Sequence, residues 1–162
     1  MVRWLILVVA LVSCSRETSK SDDVTIRAAL SPDPCELVSI ADVEMATGAR
    51  VQSSGPVPDE AMIVSGGPPL CEYEVPGRHG TIIVAVDPTG AEEFARLRNR
   101  DPSNTNPLKG LGDDAYSQAM ASLSVLVGEG YFVLGTQLGA GEEGVRDLRT
   151  LAELALQNLD AA

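Results

Sequence analysis

The hydrophobic pattern changes character along the chain. Met1-Val2-Arg3 is a short basic start, and Trp4 to Val12 is an unbroken run of nine apolar residues. A helix that crosses a bilayer needs about 20 such residues, so this run matches the apolar region of a secretory signal. Ser15 to Ser31 (SRETSKSDDVTIRAALS) is polar and charged and reads as a tether. Only Ile26, Ala28 and Leu30 alternate there, enough for a short edge strand. Pro32-Asp33-Pro34 stiffens the entry to the domain, and Cys35 begins the folded part.

Beyond Cys35 the period alternates between helix and strand. Ser39-Ile40-Ala41-Asp42 is a capped helix start, with Ile40, Val43 and Ala46 on one face and Gly48 as the stop. Ser53 to Leu70 is rich in Gly and Pro and reads as a long loop, with room for one strand near Ala61–Val64. Cys71, Tyr73 and Val75 alternate with Glu72 and Glu74, the pattern of a half-buried strand. A Pro-Gly turn leads to Thr81–Val86 (TIIVAV), a continuous β-branched run expected at the centre of a sheet. Thr89-Gly90-Ala91-Glu92 reads as a second capping box, opening a helix to about Asn99 with Phe94 and Leu97 inward. Asp101 to Lys109 reads as a polar loop. Strands are expected at Asp114–Met120, at Ser122–Val127 and at Tyr131–Gln137, the last two as a hairpin about Gly128-Glu129-Gly130. Val145, Leu148, Ala152, Ala155 and Leu159 form the stripe of a final amphipathic helix. Tight turns join most neighbours, so the expected fold is α+β: a largely antiparallel sheet with helices packed on one face.

The early apolar run ends in Leu11-Val12-Ser13-Cys14. These residues resemble the lipobox of bacterial lipoproteins; the alternative is an ordinary secretory signal with a chance Cys. The resemblance implies that Cys14 carries diacylglycerol and becomes the first residue after cleavage. Two acyl chains hold a protein stably on a membrane where one holds it marginally. The expected division is a lipoprotein signal peptide at 1–13, a lipidated Cys and flexible tether at 14–31, and a single α+β domain at 32–162. The expected location is the cell membrane or outer membrane, lipid-anchored and facing away from the cytoplasm.

Charge and cysteine count narrow the chemistry. The chain has 12 Lys and Arg against 23 Asp and Glu, a net charge of −11. That balance argues against nucleic acid, whose phosphates are bound by neutralising them. It also argues against adsorption to an anionic bilayer by charge alone. With Cys14 lipidated, Cys35 and Cys71 remain of the three Cys. An even remainder in an exported protein points to one disulfide between them. Two free thiols or a metal pair are the alternatives, and His79, the one His, is a poor supplement to a metal site.

The most distinctive internal motif is Lys109-Gly110-Leu111-Gly112-Asp113-Asp114-Ala115-Tyr116. Gly110, Gly112 and Asp113 mark a turn or a binding motif. A cation would use Asp113 and Asp114 as oxygen ligands, but the spacing of a calcium loop is absent. The glycines lack the arrangement of a dinucleotide or Walker loop. Glu72/Glu74 and Glu92/Glu93 read as solvated faces, and Glu142/Glu143 as favourable charges at a helix start. No Ser lies in G-x-S-x-G and no second His is available for a triad. No catalytic residue, metal or cofactor is expected.

Pro34-Cys35-Glu36-Leu37-Val38-Ser39, the capped helix to Gly48, Cys71-Glu72-Tyr73, Gly110 to Tyr116 and Val125 to Gly128 occur in an order that resembles a group of small actinobacterial envelope lipoproteins with no assigned activity. The resemblance runs from about Pro34 to Leu159. Leu108-Lys109 stands where the group carries Pro before Gly-Leu-Gly. It implies a disulfide-stapled α+β domain on a lipid anchor and carries over no catalytic residue. The expected function is that of a lipid-anchored, non-enzymatic envelope domain that binds an envelope protein or lipid partner, or supports a larger assembly. The alternatives are a carrier of an apolar ligand and, more remotely, a carboxylate enzyme.

Overall fold

The computed structural model describes residues 30–31, 33–58, 67–77, 80–119, 121–137 and 141–161. The apolar run, Cys14, the possible strand near 61–64 and His79 lie outside the described residues.

The chain opens with α1 (Pro34–Leu37), one helical turn. Asp33 caps it by accepting from the Cys35 amide, and Pro34 supplies a helical φ where no donor is needed. Helix α2 (Ile40–Thr47) follows the sequence reading closely. Ser39 and Asp42 form a reciprocal capping box, and Gly48 closes the helix at φ 67°. Val43 is buried and Ala46 packs on the core, but Ile40 faces solvent at the first helical position.

Among the described residues seven strands make one antiparallel sheet: β1 (Ser53–Pro56), β2 (Leu70–Val75), β3 (Gly80–Asp87), β4 (Thr105–Leu108), β5 (Asp114–Gln118), β6 (Ser122–Val127) and β7 (Gly130–Thr136). Their spatial order is β1-β2-β3-β7-β6-β5-β4. Two meanders therefore meet at the β3–β7 pair. Helix α3 (Ala91–Arg100) carries the chain from the central strand β3 to the far edge strand β4, and α4 (Gly141–Ala161) follows β7.

The antiparallel α+β architecture and the Cys35–Cys71 disulfide are as expected from the sequence. Three differences stand out. Both edge strands lie in stretches that read as loops, because β1 (SSGP) and β4 (TNPL) are short, polar and carry Pro. Leu30 belongs to the core, so packing begins inside the segment expected to be tether. Third, only α1, α2 and α4 share one face of the sheet. There Val84, Phe132, Leu134 and Val125 meet Leu37, Val43, Leu148 and Leu151 in one cluster. Helix α3 covers the opposite face, where Phe94 packs on Tyr116 and Tyr131 with ring centroids 5.0 Å and 5.9 Å apart. The crossing from β3 to β4 requires a path over the sheet, and Tyr116, Leu126, Tyr131 and Val133 give Phe94 and Leu97 an apolar bed there.

The helices on the first face are tied together by polar contacts. Asn158 of α4 donates to the Leu37 carbonyl at 3.2 Å and to Asp42 Oδ2 at 3.1 Å. The buried Tyr73 hydroxyl donates to the Val38 carbonyl, between α1 and α2. The disulfide joins α1 to β2 across a sequence separation of 36.

Candidate functional site

The Gly110–Tyr116 motif is a structural clasp. Gly110 and Gly112 adopt φ of 78° and 54°, a region that L side chains rarely enter. Gly112 also lies against the Leu126 carbonyl and the Val125 side chain, where a Cβ would overlap both. Between the glycines, Leu111 is buried in the core. The Asp113 amide donates to the Leu126 carbonyl at 2.9 Å, and its Oδ2 accepts from the Gly128 amide at 2.7 Å. Arg149 of α4 donates to the Lys109 carbonyl at 3.1 Å. Asp114 pairs with Arg98 of α3 and accepts from the Ala115 amide. The two adjacent carboxylates are thus turned to separate tasks: Asp113 caps the β6–β7 turn, and Asp114 docks α3. Among the described residues no group of three or more His, Cys, Asp or Glu is placed to hold a metal ion.

A different cluster is brought together by the β3–β7 pairing, which sets Asp87 opposite Tyr131. Sequence pattern gave no signal for it: Glu93 reads as a solvated position, and the partners are far apart in the chain. The start of α3 also departs from expectation. Its N-cap is Gly90 and not Thr89, with no side-chain cap. Asp87 Oδ1 instead accepts from the Thr89 amide at 3.0 Å, and the Ala91 amide donates to the Glu129 carbonyl at 2.9 Å. Gly90 is required because a Cβ there would overlap the Asp87 carboxylate and the edge of the Tyr131 ring. Carboxylate and ring therefore face each other across the glycine.

These groups open onto a crevice of about 410 Å³ lined by Pro68, Pro69, Pro88, Asp87, Glu93 and Tyr131. Tyr131 is only 5% exposed. Burial, then the nearby Asp87 and Glu93 carboxylates, raise its phenol pKa, with Arg96 opposing them. Glu93 is bound on both oxygens by Arg96.

A second depression of about 550 Å³ runs along β1 and β2 beside Glu72, Glu74 and Thr81. Glu74 accepts from the Ser53 hydroxyl at 2.9 Å, and Glu74 faces solvent as the alternation predicts. The space between the sheet and α4 is filled by the protein's own side chains, with Val84, Phe132, Leu134, Leu148 and Leu151 at 0–1% exposure. Among the described residues no helix is long and apolar enough to cross a membrane.

No protein family and no curated protein matches the chain. Among solved structures it is similar to a GTP binding regulator from Thermotoga maritima, with 15% identity and a TM-score of 0.40 over 75% of this chain and 93% of that one. A likeness of that degree assigns neither family nor function.

Proposed function

We propose that this chain is a lipid-anchored, non-enzymatic domain of the cell envelope that binds an envelope partner. The observation that carries the reading is the Cys35–Cys71 bond. It belongs to an oxidising compartment. It also leaves Cys14 as the single unbridged Cys of three, placed in Leu-Val-Ser-Cys after nine apolar residues. Diacylglycerol there supplies the two chains that stable anchoring needs. The clasp roles of Asp113 and Asp114 support a structural reading of the most distinctive acidic motif. The filled space beneath α4 favours a surface-binding role over carriage of an apolar ligand.

Fractionation of cells producing the full chain tests the anchor. The wild type is expected in the membrane fraction, released by detergent and not by high salt, and Cys14→Ala in the soluble fraction. Recovery of both in the same fraction would overturn the reading.

A further inference from the structure

We propose that the outer face of α2 rests on the bilayer that holds the lipid of Cys14, with Ile40 and Met45 seated at the boundary between headgroups and acyl chains. Among the described residues the exposed large apolar side chains are Ile40 and Met45, at 47% and 67%. Both stand on this one helix of eight residues. Ala41, Met45 and Gly48 fall at i, i+4 and i+7, so they form a single stripe, and all three are exposed. Ile40 flanks that stripe. The inward side of the same helix holds Val43 and Ala46. Helix α2 is thus apolar on both sides. By contrast, α3 shows Glu92, Arg96 and Arg100 to solvent, and α4 shows Arg146, Glu153 and Asp160. A helix that is apolar all round belongs between two apolar surfaces, and the protein supplies α2 with one.

The second observation is where the acids of α2 point. Asp42 Oδ2 accepts from the Ser39 amide at 2.9 Å and from Asn158 of α4 at 3.1 Å. Glu44 Oε1 accepts from the Val51 amide at 3.0 Å. Both carboxylates are held by neighbouring parts of the protein, and Arg50 is exposed just beyond the helix. In a chain of net charge −11, such a face approaches anionic headgroups with little repulsion. The path of the chain names the occupant. Leu30 follows Cys14 by 16 residues, a stretch that reaches at most about 55 Å. Leu30 shares a core cluster with Leu37 and Val43, so the lipid is attached at the end of the domain that carries α1 and α2. A surface tethered this closely is met at high effective concentration, so a patch too small to capture a free bilayer is enough.

This inference rests on the anchor reading, and the experiment separates the two failures. The lipidated protein carrying Met45→Cys, with a nitroxide on that thiol, is reconstituted in phosphatidylcholine vesicles and floated on a density gradient. Cys35 and Cys71 are bonded to each other, which leaves position 45 for the label. Glu92→Cys on α3 is the control. Depth is read from collisions with oxygen and with a water-soluble nickel chelate. The label at position 45 is expected about 5–10 Å into the headgroup and acyl boundary, and the label at position 92 in water. Ile40→Glu places a favourable charge at the helix start and should return the label at position 45 to water. A protein that does not float overturns the anchor and this inference with it. A protein that floats with both labels in water keeps the anchor and overturns the docking, as does an inserted label that Ile40→Glu leaves in place. Spin–spin broadening between labels at position 45 would assign the face to a second copy and also overturn it.

Discussion

At Gly112, backbone conformation and close packing act on the same atom. A side chain there would be strained at φ 54° and would meet the Leu126 carbonyl. Gly112→Ala should therefore lower stability by at least about 2 kcal/mol, read from the denaturant midpoint. Asp113→Asn keeps an oxygen that can accept from Gly128 and should lower it by about 1 kcal/mol or less. Calcium or magnesium should leave the melting temperature of the wild type unchanged, and a rise lost in Asp113→Asn would contradict the clasp. Tyr73 gives a pH signature. Burial first, and then the Asp42 and Asp33 carboxylates, push its phenol from 10 up to about 12. The folded state therefore favours the neutral phenol. Its contribution to stability is complete below pH 10 and is lost as pH rises from 10 towards 12. The unfolding midpoint should fall across that window, and less steeply in Tyr73→Phe. The glycine motif was legible as a turn because positive φ selects residue type directly. The Asp87–Tyr131 pair was not, because it exists only once β3 and β7 are neighbours.

At the scale of elements, legibility followed burial. Strands β2, β3, β5, β6 and β7 each bury at least one face, so their apolar alternation or continuity marks them. Strands β1 and β4 sit at the two edges and carry Ser, Asn, Gly and Pro instead. A proline cannot donate to an added strand, which blunts an edge against self-pairing. Replacing Pro56 and Pro107 together by Val should increase self-association, measured by light scattering against protein concentration. An unchanged mass would show that these prolines do not protect the edges. The side taken by α3 differs from the sequence expectation for a related reason. Tyr131-Phe132-Val133-Leu134 is apolar on both faces of β7, the mark of a strand covered twice. That signal names no helix; the crossover from β3 to β4 does.

For the molecule as a whole, the three cysteines divide in two ways: Cys35 and Cys71 form the disulfide, and Cys14 is the proposed anchor. Cys35–Cys71 closes a loop whose removal from the denatured ensemble is worth roughly 3–4 kcal/mol. Cys35→Ser with Cys71→Ser should lower stability by that amount while leaving the helical far-ultraviolet signal in place below the transition. The bridge was legible in the sequence once Cys14 was set aside as the expected lipid site, leaving two Cys in an exported chain. The central claim, a stapled domain held by lipid on Cys14, is tested most directly by intact mass spectrometry of the chain from the membrane fraction, alkylated without reduction. The account predicts a chain beginning at Cys14, heavier by a diacylglyceryl group and carrying no alkyl adduct. A chain that retains residues 1–13, or one whose Cys14 carries the alkylating group instead of lipid, would contradict it.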